Sequence, residues 1–141
     1  MPARDEREYP LRSLLSTSLW RQVDGSVWDL ERMWGFDAPV ESVSVESLRW
    51  HLSLPFWRHG EEMFAASPNE VRERPRAHGE QLRRTLAADL DCPLIALRAA
   101  AGPLVVDGLH RLLKADLLGR DEVELKLLEP AEFAAMACGR A

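Results

Sequence analysis

The segment Asp107-Gly108-Leu109-His110-Arg111 places a His and an Arg in what we expect to be the first turn of a helix. A helix start exposes unpaired N–H groups and carries roughly half a positive charge, so a cationic side chain there is disfavoured by about 0.3–1 kcal/mol. A bound anion would remove this conflict. The N–H groups and His110 can donate hydrogen bonds to it, and Arg111 can make a bidentate contact. The segment therefore predicts an anion site, with nucleotide phosphates as the best candidate.

Each residue of the segment has an expected role in such a site. We expect Asp107 to cap the helix or to contact a nucleotide-bound Mg²⁺, and Gly108 to let a ligand approach the backbone. Asp107 and His110 are the predicted catalytic residues, and Gly108, Leu109, His110 and Arg111 are the predicted cofactor-binding residues. No metal site made by protein side chains is predicted. In the alternative interpretation, Asp107 is only a cap, His110 is neutral and exposed, and Arg111 pairs with a carboxylate.

Hydrophobic patterning predicts the elements that position this segment. Apolar and polar residues alternate in PVESVSVESL and DEVELKLLEP, whereas CPLIALRA and LVVD are short continuous apolar runs. These patterns are typical of half-buried and fully buried strands respectively. We expect strands at about 40–46, 93–98, 103–107 and 122–128 in one small mixed sheet with flanking helices, which is an α/β (α+β) fold.

Four helices are expected around this sheet. Ser67 to Glu70 form an S-x-x-E capping box with Pro at the first helical position, and Pro75 should end that helix. A second helix, EQLRRTLAADL, should be amphipathic, with an apolar face. Its expected buried residues are Leu82, Leu86 and Leu90. PAEFAAMACGR should be a short closing helix.

The helix that follows Gly108 should also be amphipathic and should end near Gly119. We expect Lys114 to lie outside. The expected buried stripe of this helix is Leu109, Leu112, Leu113 and Leu117.

The segment RWHLSLPFWRHG is expected to be an irregular connection with an unusual density of aromatic residues. Its large aromatics favour core or lid packing over an acceptor pocket. Glu41 and Glu46, which flank the first strand, are candidates for a catalytic carboxylate only by their location. An interleaved run of Arg and Glu in VRERPRAHGEQLRR favours a solvated helical face.

Composition limits the class of protein. The chain has 141 residues, of which 46% are hydrophobic and 29% charged, which is typical of one globular domain. We expect residues 39–141 to form that domain and residues 1–38 to be an N-terminal extension packed on its core. The net charge of −5 opposes duplex DNA as a partner, because phosphate neutralisation needs a basic excess.

Cellular location is inferred from what the sequence lacks. No apolar run approaches the ~18 residues that cross a bilayer, so no membrane association is expected. Cys92 and Cys138 lie far apart, without a metal-binding or disulfide pattern. We therefore expect a cytoplasmic protein with reduced thiols.

The stretch PLVVDGLHRLLKADLLGRDEVELKLL, which contains the predicted anion site, resembles the signature region of the ParB/sulfiredoxin superfamily. In that superfamily an apolar strand, a D-G-x-H-R type turn, a helix and another strand follow in this order. The resemblance extends more loosely upstream and covers about residues 39–128. It implies a ParB/sulfiredoxin-like fold and nucleotide phosphate binding at the turn.

Departures from the pattern separate the members of the superfamily. Sulfiredoxins carry a catalytic Cys directly before the His of the turn, where this chain has Leu109. Chromosome-partition proteins carry a G-E-R-R turn for CTP, where this chain has G-L-H-R. The free-serine kinases of the superfamily have the most similar turn, and they transfer a phosphate from a nucleotide to a hydroxyl.

Two functions follow from the turn and the resemblance. The first is a small phosphotransferase or nucleotide hydrolase that uses Mg²⁺ with ATP, ADP or CTP, and a small hydroxyl-bearing substrate. The alternative is a non-catalytic ParB-like regulatory module that binds a nucleotide or a protein partner. Catalysis needs a carboxylate near the terminal phosphate, whereas regulation needs only binding. A homo-oligomer is compatible with both.

Overall fold

The computed structural model describes residues 9–23 and 30–137, and the four expected strands are present in it as one mixed sheet. The sheet order is β1-β6-β4-β5, with β6 antiparallel to β1 and parallel to β4, and β5 antiparallel to β4. The prediction of a mixed sheet with flanking helices is therefore confirmed. The strands of this sheet are β1 (Val40–Ser44), β4 (Leu94–Leu97), β5 (Leu104–Asp107) and β6 (Glu122–Leu128).

A second, two-stranded sheet lies where an irregular connection was expected. After a 3-10 turn at Arg49–Ser53, the chain forms β2 (Trp57–His59), which pairs antiparallel with β3 (Glu62–Ala66). Gly60, in the turn, has a φ of +62°, which glycine adopts without strain. The expectation of a wholly irregular segment is wrong, because the short strand β2 is stabilised by its partner β3 rather than by an apolar pattern of its own.

Helices lie before, between and after the strands along the described chain. In chain order they are α1 (Thr17–Val23), α2 (Leu30–Gly35), α3 (Val45–Leu48), α4 (Pro68–Glu73), α5 (Gly79–Ala87), α6 (Leu109–Leu117) and α7 (Pro130–Ala137). The capping box of α4 is confirmed: Ser67 Oγ accepts from the Glu70 N–H, and Glu70 Oε1 accepts from the Ser67 N–H, both at 3.2 Å. This helix ends before Pro75, as expected.

The buried face of α5 differs from the expected leucine stripe. Leu86 is 58% exposed, whereas Gln81 and Thr85 are buried. Gln81 is satisfied there because it donates to the Arg58 carbonyl, and Thr85 Oγ1 donates to the Gln81 carbonyl. Paired polar groups can be buried at little net cost. Leu82 and Leu90 are partly buried against the core, so the predicted face is wrong at Leu86.

The stripe of α6 is confirmed in part. Leu109, Leu112 and Leu113 are buried, but Leu117 is 42% exposed, and Ala115 takes the expected place of a fourth buried residue. The helix ends in a left-handed residue, Gly119 with φ +73°, whose following N–H donates to the Ala115 carbonyl. This is the glycine-terminated helix end that the sequence predicts.

The N-terminal part of the chain contributes to the same core as the sheet. Leu11, Leu15, Leu19 and Met33 are buried in one cluster with residues of the sheet and of α6. Among the described residues, no helix combines the length and the apolar character needed to span a bilayer. Cys138 and residues 1–8 and 24–29 of the expected extension lie outside the described residues.

Candidate functional site

The predicted anion site lies at the junction between β5 and α6, where Gly108 has a φ of +105°. An L side chain rarely adopts this conformation. A Cβ at this position would lie 2.7 Å from Leu94 Cδ2 and 3.3 Å from Leu94 Cα. The glycine is therefore required by the close packing of the turn against β4. Leu94 fills the space on the Cβ side, so the expected approach of a ligand to the Gly108 backbone needs another direction.

Asp107 does not cap α6. The N-cap residue is Gly108, and no side chain accepts a capping hydrogen bond at this helix start. Asp107 is the last residue of β5, where it pairs with Ile95, and its carboxylate does not bind the start of α6. Its Oδ2 accepts a 2.7 Å hydrogen bond from Trp34 Nε1 and lies 3.8 Å from Arg111 Nη1. The capping expectation is thus wrong, and the first-turn N–H groups lack a side-chain cap.

Arg111 is held beside the end of β5 by two contacts. Its Nη1 donates to the Pro93 carbonyl at 3.1 Å and lies near Asp107, at a distance too long for a hydrogen bond. The Arg111 side chain is 20% exposed. A guanidinium has five N–H donors. Within the described part of the chain only Nη1 makes hydrogen bonds, so this side chain retains donors for a ligand.

A cavity of about 310 Å³ lies next to Arg111. Its lining is mainly apolar but includes two cationic side chains, Arg111 and Lys126. The ammonium of Lys126 donates to the carbonyls of Met33, Trp34 and Phe36 at the end of α2. Lys126 therefore supplies positive charge while its three donors are used. The cavity is lined by Trp34, Cys92, Pro93, Ile95, Arg111 and Lys126.

His110 lies away from this cavity, between β2 and α5. Its ring stacks on Trp57, with centroids 4.2 Å apart and planes 9° apart. Its Nε2 lies 2.8 Å from Gln81 Oε1. The amide of Gln81 is oriented by its Nε2, which donates to the Arg58 carbonyl, so Oε1 accepts and His110 Nε2 carries the proton. His110 and Arg111 thus contact different elements.

The prediction of an anion site treats His110 as a potential cation, and the structure does not support a positive charge there at pH 7. Burial, reinforced by the positive charge of Arg84, lowers the pKa of His110 to about 4. The ring is therefore neutral at pH 7, and only Arg111 is a cation in this first turn. Leu109, another predicted ligand residue, has its side chain in the core, so only its backbone can contact a ligand.

The aromatic segment before β2 serves the core. His51 is buried, its Nδ1 donates to the Leu48 carbonyl at 2.8 Å, and its Nε2 accepts from the Val105 N–H at 3.0 Å. This pair of bonds covers part of the edge of β5. Phe56 and Trp57 are also buried. None of these residues lines the cavity beside Arg111.

Trp34, Pro93 and Lys126 are site residues that the sequence analysis did not identify. Each comes from an element distant in sequence from the turn, and only packing brings them together. Glu41 and Glu46, the candidate carboxylates, are exposed and do not line the cavity. Within residues 9–23 and 30–137, no group of three or more His, Cys, Asp or Glu side chains is arranged to hold a metal ion.

A larger cavity of about 660 Å³ lies elsewhere, between the N-terminal segment, the end of β4 and α7. It contains no predicted site residue. Its two charged residues, Arg98 and Glu129, pair with each other at 2.8 Å. The two charged side chains of this larger cavity neutralise each other, whereas the lining of the smaller cavity includes two cationic side chains and no acidic one, which suits an anionic ligand better.

Comparisons with family models, with curated proteins and with solved structures find no match to this chain.

Proposed function

We propose that this protein binds a nucleotide, with the phosphates beside Arg111 and the base in the cavity that Trp34 lines. The observation that carries the proposal is the cavity of about 310 Å³ with Arg111 and Lys126 among its lining residues. Ligand pockets enclose about 300–1,000 Å³ and are mostly apolar with a few placed polar groups. The volume suits a base or a sugar, with the phosphates extending toward the helix start.

Arg111 is the residue best suited to hold the phosphates. Its planar guanidinium matches phosphate geometry, and its contacts use only Nη1. Lys126 adds positive charge without donating further hydrogen bonds. The uncapped start of α6 adds the partial positive charge of a helix N-terminus. In this proposal Trp34 offers an aromatic face on which a base can stack.

Among the described residues, Asp107 is the one acidic side chain that pairs with Arg111, and it would repel a phosphate. A nucleotide-bound Mg²⁺ would offset this repulsion, because Mg²⁺ prefers carboxylate and phosphate oxygens. Mg²⁺ is therefore part of the proposal, with Asp107 as the protein group that meets it. The ParB/sulfiredoxin-like fold is also proposed. It is supported by the order of β5, the D-G-L-H-R turn, α6 and β6, which is the order of the signature region.

The geometry favours binding over catalysis as the primary function. His110, the predicted catalytic histidine, is engaged with Gln81 and Trp57, and its lowered pKa makes it a weak base at pH 7. The non-catalytic nucleotide-binding module therefore fits the described residues better. Phosphoryl transfer through Asp107 and His110 remains a prediction from the sequence of the turn and its resemblance to the free-serine kinases.

The test is calorimetric titration with ATP, ADP and CTP in the presence of Mg²⁺. Arg111→Ala should weaken binding by roughly 10- to 150-fold, because a hydrogen bond to a charged group contributes about 1.5–3 kcal/mol. Arg98→Ala is the matched control, since Arg98 is exposed and paired with Glu129 outside the site, and it should bind as the wild type does. Failure of the wild type to bind any of the three nucleotides would contradict the proposal.

A phosphate-release assay over a panel of hydroxyl-bearing acceptors distinguishes the two functions. Binding without release supports the regulatory module. Release that is lost in His110→Gln while binding persists would instead support the phosphotransferase or hydrolase.

A further inference from the structure

We propose that His59 and His78 form a binding site for a divalent transition-metal ion. His59 is the last residue of β2, and His78 directly precedes α5. Their ring centroids lie 4.6 Å apart, with the ring planes at 54°. The site shares no residue with the cavity beside Arg111 and does not depend on nucleotide binding.

The separation of the rings fits two imidazoles on one ion. With a metal–nitrogen distance of about 2.0–2.1 Å, each ring centroid lies about 3.2 Å from the metal. Two rings bound at an angle between square and tetrahedral then have centroids about 4.5–5.3 Å apart. The observed 4.6 Å lies in this interval.

An independent observation concerns the hydrogen bonding of His78. This side chain is only 8% exposed, and its Nδ1 is buried without a hydrogen-bond partner among the described residues. Buried polar atoms are almost always paired, and an unplaced ion or water is a recognised reason for an exception. His59, in contrast, is exposed, so an ion can reach the pair from solvent.

The ligand set determines the class of ion. Neutral imidazole suits Cu²⁺, Ni²⁺ and Zn²⁺ rather than Mg²⁺ or Ca²⁺. Two protein ligands leave the other coordination positions to water, and affinity should be highest for Cu²⁺ in the Irving–Williams order. Because His59 belongs to the β2–β3 hairpin and His78 to the start of α5, a bound ion would link these two elements.

The first test is NMR of the full chain during titration with substoichiometric Cu²⁺ or Ni²⁺. Paramagnetic broadening should be confined to the imidazole signals of His59 and His78 and to their neighbours. The ring of His51, which is bonded to Leu48 and Val105, serves as the internal control and should stay sharp. Broadening centred on His51, or no site-specific broadening, would overturn the proposal.

The second test compares variants by calorimetry and thermal unfolding with Zn²⁺. The wild type should bind saturably and gain thermal stability, because the ion binds the folded state. His59→Gln changes an exposed residue and should lose both effects without loss of folding. Cys92→Ser, which removes an exposed thiol elsewhere, should retain both. Retention of binding by His59→Gln would assign the ion to another site and refute the proposal.

Discussion

The indole Nε1 of Trp34 donates a 2.7 Å hydrogen bond to Oδ2 of Asp107, which joins α2 to the turn before α6 across 73 positions of sequence. The same oxygen lies 3.8 Å from Arg111. Asp107 therefore connects the N-terminal part of the chain with the residue that we propose as the phosphate ligand.

Trp34→Phe should lower the free energy of unfolding by about 1–2 kcal/mol, because it removes a hydrogen bond to a charged group at a half-exposed position. Chemical denaturation measures the change. Trp50→Phe is the control. Trp50 is similarly exposed, at 41% against 49%, and its indole N–H makes no hydrogen bond within the described chain. Equal destabilisation by the two variants would contradict a specific role of the Trp34–Asp107 bond.

Gly108→Ala should destabilise the protein by at least about 1–3 kcal/mol, since the left-handed backbone strains any L residue. The new Cβ would also meet Leu94 at 2.7 Å. Gly119→Ala offers a comparison, because its φ is +73° but no atom lies within 4 Å of the added Cβ. Gly119→Ala should therefore cost less than Gly108→Ala in the same unfolding experiment. The reverse order would show that Leu94 does not restrict the turn.

The stability of the protein should fall as the pH decreases from about 6.5 to about 4. Burial lowers the pKa of His51 and of His110 to about 4 in the folded protein, from 6.5. Between these values the unfolded chain binds more protons than the folded chain, so stability rises with pH there. Urea unfolding at several pH values measures the slope.

His51→Leu should reduce that slope and also destabilise the protein at pH 7. The substitution leaves the Leu48 carbonyl and the Val105 N–H without their present partner. An unsatisfied buried group costs about 1–3 kcal/mol. A pH profile unchanged by this substitution would show that His51 titrates normally.

Asp116→Asn should destabilise the protein by about 1.5–3 kcal/mol, the range for hydrogen bonds to a charged group. The side chain of Asp116 is 8% exposed and accepts from Arg49 and Arg72, which links α6 to the 3-10 turn and to α4. Burial opposes ionisation, but the two arginines lower the pKa of this carboxyl below its usual value. The stabilisation that ionised Asp116 gives the folded protein is therefore lost as the pH falls below about 4.

The control for Asp116 is an exposed pair on α5. Glu80 is 63% exposed and pairs with Arg84 at the i, i+4 spacing. Glu80→Gln should change the free energy of unfolding by less than about 0.5 kcal/mol, as exposed pairs usually do. A similar cost for both substitutions would contradict the assignment of Asp116 as a buried link.

Leu113→Ala should cost about 2–5 kcal/mol, because Leu113 is fully buried and its truncation leaves a cavity. Leu117→Ala should cost much less, since Leu117 is 42% exposed. Thermal or chemical unfolding of the two variants compares them directly. Equal costs would place Leu117 in the core, as the sequence pattern alone suggested.

Local signals in the sequence determined the strands of the main sheet and the ends of several helices. The capping box at Ser67 and Glu70, and the left-handed Gly119, depend on interactions within a few residues of the chain. Alternation around Leu125 likewise reports burial of one face of β6, whereas in β1 only Val43 is half-buried. Such features were predicted because the atoms that stabilise them are close in sequence.

Tertiary packing decided which helix faces are buried and which side chains form the candidate site. Gln81 is buried in α5 because Arg58 and His110, from other elements, satisfy its amide, and no periodicity can report such partners. Trp34 and Arg111 meet around Asp107 only after α2 packs against the sheet. The physical reason is that local patterns depend on neighbours in sequence, whereas hydrogen-bond partners and cavities depend on residues brought together by the whole fold.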